Sequence, residues 1–368
     1  MIFVYSGKEM DCVFFINPMA GAQAGKNIAA ELKQDLHTHG IGIHVVFTDP
    51  ENLESQVLSL APGRDLIVVA GGDGTISAVA RILSTLESPP PFAVIPLGTG
   101  NDLARSLGWW KVWHHGGLDY FWSGVSAGKI EAMDLWSCGE DLAFLGYAGF
   151  GLDARIVGSV SRLRRKVFGK NLGRRWNQLL YMSVGLKHIL SVRLRGGSSE
   201  IDASFSGEKG STRKLKLKNH TALILSNIKH YAGGGSLSSL SSWSDGQFEA
   251  YVIPTVEAYL NLLFRGRIAF FREHEATFQA CSVEIVGKRE LPLQIDGEWA
   301  GDCKANNIVK VQLIRTLPVL VPPQDFSVRE PADRRWSASR ILKKDTAPAL
   351  PDPATTSLHK LVRWIGGR

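Results

Sequence analysis

No apolar run approaches the roughly 20 residues that a membrane-spanning helix needs, so a spanning helix is not expected in this chain. The first residues have neither the basic start nor the small-residue cleavage site of a signal peptide. A cytoplasmic protein, soluble or peripheral to a membrane, is the expectation. Cysteine is scarce and scattered: Cys12, Cys138, Cys281 and Cys303 form no CxxC pair. That argues against a zinc site or a disulfide scaffold and predicts reduced core thiols. A Walker A loop is also missing. Three residues separate Gly21 from Gly25, and Asn27 rather than Ser or Thr follows Lys26, so the spacing of a P-loop NTPase fails. Acids are in the minority, 35 against 42 Lys and Arg, which leaves a net charge of +7. Such a surplus suits a phosphate-bearing partner without choosing among nucleic acid, nucleotide and anionic lipid.

What is present first is a β-α rhythm. Val13 to Pro18, Ile43 to Phe47, Asp65 to Ala70 and Phe92 to Pro96 read as strands. Asn27 to His39, Asn52 to Leu60 and Thr75 to Leu86 have helical spacing between them. The pattern predicts a parallel sheet with helices on both faces and a ligand at the carboxyl ends of its strands. Three glycine-rich loops fall there, each just after a strand: Asn17 to Gly21, Gly71 to Thr75, and Leu97 to Asp102. Glycines let a backbone approach phosphate closely, and a following helix N-terminus adds amide donors. Asp73 among those amides makes sense as a ligand to Mg²⁺ or as an acceptor of a proton from an attacking hydroxyl. An Asp-Gly turn that caps a helix is the plainer reading. Asn101 or Asp102 is likewise a natural N-cap, a role compatible with phosphate binding.

From about Lys129 strand-like pieces dominate, at Leu142 to Leu145, Thr221 to Leu225, Phe248 to Ile253, Cys281 to Ile285, Leu291 to Ile295 and Asn307 to Leu320. A helical insertion is expected near Trp176 to Leu190. Arg162 to Trp176 holds seven basic residues and no acid, interleaved with Val167, Phe168 and Leu172. That composition fits docking on anionic lipid headgroups, nucleic acid, or a solvated face. Lys209 to Lys218 is a second basic stretch, read as a solvated hairpin or loop. Asp134 alone is ambiguous, and Asp296 with Glu298 alone reads as a solvated turn.

Taken together, the loops resemble the soluble diacylglycerol kinase family, which includes bacterial lipid kinases, sphingosine kinases and ceramide kinases. Gly71-Gly72-Asp73-Gly74-Thr75 resembles its GGDGT signature, and Pro96 to Arg105 its PxGTxNDxAR signature. Asn17 with Gly21 and Lys26 is similar to its opening nucleotide loop. Gly149 to Ala154 is similar to its GxGFDA segment, and Tyr231 to Gly235 to its glycine-rich stretch. Asp245-Gly246 resembles a turn that holds a structural Mg²⁺ in bacterial members. Asp296-Gly297-Glu298 resembles the late DGE motif, which reverses the solvated reading of Glu298. Two departures stand out: Ser77-Ala78 where the family has Asn-Glu after GGDGTx, and Gly146-Tyr147-Ala148 before the GxGFDA segment.

The resemblance implies an α/β nucleotide-binding domain with a parallel sheet, akin to NAD and diacylglycerol kinases, over 1–136, with 306–325 packing back on it. A β-sandwich-like lipid-substrate domain would fill 137–305, and 326–368 would be a polar, flexible tail. It implies a lipid kinase using ATP and Mg²⁺, with diacylglycerol the favoured acceptor. Asp73 and Glu298 would be catalytic. Asn17, Gly21, Lys26, Gly71, Gly72, Gly74, Thr75, Gly98, Thr99, Gly100 and Asn101 would bind nucleotide. Asp73, Asp102, Asp134 and Asp245 would serve metal, and Asp153 the substrate headgroup. The partners would be a lipid with a free hydroxyl and an anionic membrane surface at Arg162 to Trp176. Nucleic acid is not expected, and a homodimer is left open. An NAD kinase-like enzyme and an inactive lipid or nucleotide sensor are the alternatives.

Overall fold

A computed structural model describes residues 10–35, 41–163, 184, 201–217, 222–233, 235–237, 241–253, 259 and 277–324. The expected helix at Trp176 to Leu190, most of the Arg162 to Trp176 segment and the 326–368 tail lie outside these residues. The chain divides into two compact units. The first contains the residues up to Gly146, Asn227–Phe248 and the stretch from Gln312; the second contains Tyr147–Ser226 and Glu249–Val311.

The first unit opens with β1 (Met10–Ile16), α1 (Ala24–Asp35), β2 (Ile41–Phe47), α2 (Leu53–Leu60), β3 (Leu66–Gly71), α3 (Asp73–Leu83) and β4 (Phe92–Pro96). These four strands are parallel, in the order β2-β1-β3-β4. β3 and β4 are buried at every residue, as expected for strands covered on both faces. Then follow α4 (Asp102–Ser106), α5 (Trp109–Ala127), β5 (Lys129–Cys138) and β6 (Leu142–Phe144). Sequence reading missed α5. Its tryptophans and histidines blur the apolar period, and Gly116 and Gly117 leave helical geometry to kink it. Buried Phe121 and Trp122 of α5 meet Phe14 of β1 edge-on, at 6.4 and 5.7 Å between ring centres.

The second unit begins with β7 (Tyr147–Gly151), α6 (Leu152–Leu163), β8 (Ile201–Ser206), β9 (Thr212–Leu217) and β10 (Ala222–Ser226). Between Asn227 and Phe248 the chain re-enters the first unit with the short hairpin β11 (His230–Tyr231) and β12 (Gly235–Ser236). It returns through β13 (Phe248–Ile253), β14 (Thr277–Ala280), β15 (Ser282–Gly287), β16 (Leu291–Ile295) and β17 (Glu298–Cys303). One sheet runs β14-β13-β10-β7-β16-β17, and α6 packs on its β7, β10, β16 and β17. An antiparallel run, β15-β8-β9, places the described part of the basic stretch, through Leu217, in a hairpin, one of the two forms expected of it. Last comes β18 (Ile308–Val321), whose Val319 lies parallel to Phe92 of β4.

The sequence reading placed 137–305 in one β-rich domain, but Asn227–Phe248 belongs with the first unit. The physical reason is Asn227, which is fully buried. Its amide donates to the carbonyls of Asp134 and Leu145, at 3.0 and 2.8 Å, and accepts from Trp136 Nε1 at 3.0 Å. One side chain thereby pins the segment to β5. The cysteines are all free. Burial, with Asp11 and Asp65 nearby, pushes the Cys12 thiol up to about 12, which keeps it protonated and inert. Among the described residues no helix is long and apolar enough to cross a membrane.

Candidate active site

In the order β2-β1-β3-β4 the chain reverses direction between β1 and β3. Open parallel sheets bind ligands outside the carboxyl ends of strands at such a point. All three glycine loops meet there. Asn17 Nδ2 donates to Thr75 Oγ1 at 3.0 Å, tying the first loop to the second. The Leu97 amide donates to the Gly71 carbonyl at 2.9 Å, tying the second to the third. A Cβ on Gly98 would lie 2.5 Å from Gly72 Cα, and one on Gly21 would lie 3.1 Å from the Leu97 carbonyl oxygen. The loops touch backbone to backbone, so glycine here is a packing requirement. Thr99 stands exposed at the third loop, and Lys26 is exposed on α1.

Asp73 opens α3, yet its carboxylate serves another helix. Oδ2 accepts from the Asp102 amide at 3.2 Å and Oδ1 from the Leu103 amide at 3.1 Å, both in the first turn of α4. The capping role anticipated for an Asp in this position is thus played across thirty residues of sequence. Asp102 is 2% exposed, and both its oxygens accept the Gly233 amide at 3.0 Å. A Cβ on Gly100 would lie 3.0 Å from Asp73 Oδ2 and 3.8 Å from Asp102 Oδ2. Two hard carboxylates therefore border one small space beside the phosphate-type loops. Asn101 sits at φ 55° in the left-handed region, which Asn tolerates. Its side chain accepts from the Gly98 amide and donates to the Gly98 carbonyl, so it braces its own loop. Ser106 links to His230 Nδ1 at 3.0 Å and accepts the His230 amide at 3.2 Å. Burial, with Lys229 and Arg105 close by, pushes the His230 imidazole down to about 4. Sequence reasoning missed Ser106, His230 and the role of Gly233, because their pairing spans more than a hundred residues.

The four candidate metal acids do not form one cluster. Among the described residues no three of His, Cys, Asp and Glu come together as ligands. Asp73 and Asp102 form one pair. Asp134 belongs to another neighbourhood: it is 1% exposed, its amide donates to the Trp243 carbonyl, and Oδ2 accepts the Gly246 amide at 2.8 Å. Burial holds the Asp134 carboxyl above the usual carboxylate range; the Gly246 amide opposes that shift and the Asp245 charge adds to it. Asp245 is exposed.

In the second unit, Asp153 corrects an expectation. It is fully buried, not presented to a headgroup. Its position in the first turn of α6 turns it inward, where it accepts from Tyr259 Oη at 2.5 Å and Gln294 Nε2 at 2.9 Å. Glu298 is exposed at the start of β17, directly after a two-residue turn at Asp296 and Gly297 with φ of 49° and 82°.

A parallel sheet with three interlocked glycine loops and two carboxylates, followed by an antiparallel-sheet unit, is a fold of the diacylglycerol kinase class. The diacylglycerol kinase catalytic domain model matches residues 11–138, and the diacylglycerol kinase accessory domain model matches 143–299. The chain belongs to the diacylglycerol kinase family. Its relatives include the eye-specific diacylglycerol kinase of Drosophila melanogaster, 25% identical over 84% of this chain and 22% of that protein. Diacylglycerol kinase theta of Mus musculus is 26% identical over 92% of this chain and 38% of its own length. The chain thus spans well under half of these relatives. A solved structure from Bacillus anthracis str. Sterne shares the fold, with a TM-score of 0.62 and 19% identity over 86% of this chain and 98% of that one. Another from the same organism, described as a diacylglycerol kinase, has a TM-score of 0.57 at 18% identity, over the same shares.

Proposed function

We propose that this chain transfers the γ-phosphate of ATP to a lipid hydroxyl, with diacylglycerol the favoured acceptor. The observation that carries the reading is the interlocking of the Asn17, Gly71–Thr75 and Gly98–Asp102 loops around Asp73 and Asp102. Membership in the diacylglycerol kinase family supports the acceptor class.

The loop amides and the N-terminus of α3 hold the nucleotide phosphates. Asp73 and Asp102 fit Mg²⁺, which takes one or two carboxylates together with phosphate oxygens. When bound, that ion neutralises charge on the phosphates. The amides of Asp102, Leu103 and Gly233 fix the two carboxylates in place, so little reorganisation is needed during transfer. Glu298 takes the proton of the attacking hydroxyl, a contribution of about a hundredfold to ten-thousandfold for a positioned base. The basic run that Arg162 opens holds the enzyme to anionic lipid.

Purified protein with radiolabelled ATP, Mg²⁺ and mixed micelles of diacylglycerol, beside NAD and a sphingoid base, tests this. Labelled phosphatidic acid is expected, and Asp73→Asn abolishes it; the Asn oxygen keeps one of the two α4 amides that Asp73 accepts, and a melting curve checks that the variant is folded. Transfer to NAD alone, or to none of the acceptors, overturns the reading.

A further inference from the structure

Asp153 is a fully buried acid to which the mechanism above assigns no step. Its surroundings lead to the Glu298 turn. Gln294, on β16, is also fully buried. Its Nε2 donates to Asp153 Oδ2 at 2.9 Å and its Oε1 accepts the Gly297 amide at 2.8 Å. Both Asp153 oxygens accept, from Tyr259 and from Gln294, so Gln294 aims its NH₂ inward and its oxygen at the turn. The turn's own hydrogen bond runs from its first residue to its fourth, which leaves the third residue's amide to be held by something else. Here Gln294 holds it.

Independent contacts fix the same turn. The Asp296 amide donates to the Tyr147 carbonyl and the Tyr147 amide to Asp296 Oδ1, each at 2.9 Å. Gly149 stands opposite Gln294 in the sheet. A Cβ there would fall 1.7 Å from Asp153 Oδ2 and 2.6 Å from Gln294 Nε2. The glycine therefore leaves the space in which carboxylate and amide meet. Tyr259 closes the far side by donating to Asp153 Oδ1.

We infer that Asp153 and Gln294 are positioning residues: they lock the Asp296-Gly297 turn and with it the direction in which Glu298 enters β17. The inference rests on the reading of Glu298 as the base. A misplacement of about 1 Å at a reacting group costs on the order of a hundredfold in rate, so such a lock has a kinetic signature. A structural role alone would lower stability without depending on Glu298.

The test is a double-mutant cycle in the full chain. Gln294→Leu is expected to lower kcat by about tenfold to a hundredfold, with KM for ATP unchanged. In the Glu298→Gln background the same change is expected to cost less than about twofold, because the base it positions is already gone. Asp153→Asn, which still offers an oxygen to Gln294, is expected to recover most of the kcat lost in Asp153→Leu. Equal losses with and without Glu298, or no loss, overturn the inference. Hydrogen exchange at the Gly297 amide is read in parallel on the same proteins. Protection in the native chain and in Asp153→Asn, lost in Gln294→Leu, is expected; no change in Gln294→Leu overturns the lock. If the native chain phosphorylates nothing, the kinase reading falls, and the exchange result still decides whether the relay exists.

Discussion

Replacing Gly98 with Ala probes the loop interlock directly. The added methyl would sit 2.5 Å from Gly72 Cα and 2.8 Å from Asn101 Oδ1. Ordinary contact for a Cβ is 3.4–4 Å, so the two loops must part by about 1 Å. Neither side gives easily. Gly72 is backbone between β3 and α3, and Asn101 is held by two bonds to Gly98 itself. Overpacking of this kind costs about 1–3 kcal/mol, and a melting point falls by about 2–4 °C per kcal/mol in a unit of this size. The larger effect is on rate, since a shift of about 1 Å between the loops proposed to hold phosphate predicts a drop of about a hundredfold in kcat/KM. Gly63→Ala is the control. Gly63 is at φ 76° with nothing within 4 Å of its missing Cβ, so it carries backbone strain of about 1 kcal/mol and no change in rate. Stability is read by thermal melting and activity by phosphate transfer to diacylglycerol. A Gly98→Ala protein with native melting and native kcat/KM would refute the reasoning.

Asn227→Leu removes the donor shared by two carbonyls and the acceptor of the Trp136 indole N–H, at about 1–3 kcal/mol for each buried group whose bond is lost. A loss of at least about 3 kcal/mol in urea unfolding is expected, and a loss under 1 would contradict it. Glu298→Gln, at an exposed position, is expected to leave the melting point within about 1 °C while lowering kcat about a hundredfold or more. The depressed His230 imidazole makes stability pH-dependent. The unfolded chain takes up this proton near 6.5 and the folded one near 4, so stability is full above about 6.5 and falls as pH drops towards 4. Because the ring is only half-buried, the contribution is about 1–2 kcal/mol after solvent screening. The slope between pH 4 and 6.5 should flatten in His230→Gln; an unchanged slope would count against it.

The parallel sheet and its three loops were legible because each signal is local: a buried strand is a short apolar run, and a glycine loop follows it directly. The acids were legible as residues but not as neighbours. Asp73 caps α4 rather than its own helix, Asp102 takes an amide from Gly233, and Asp134 stands with Gly246. Nothing in spacing alone reports pairings across thirty to more than a hundred residues. Asp153 was misplaced for a related reason. An acid in the first turn of a helix after a glycine strand looks the same whether it faces ligand or core. Only Gln294, far along the chain, shows that it faces the core.

The threading of the first unit has consequences for how the chain is made. Its sheet gains β18 beside β4, where Val319 pairs with Phe92, and its β5 is pinned by Asn227. On a ribosome, the first unit therefore waits for residues synthesised long after its own glycine loops have emerged. Contacts this distant in sequence form slowly, and the waiting intermediate exposes unpaired strand edges. A gene fragment ending near residue 136 would encode the signature loops without the segments that complete their scaffold. Excising the catalytic half as a contiguous piece is thus expected to yield an aggregation-prone product. Circular permutants that bring β18 next to β1 would shorten the wait.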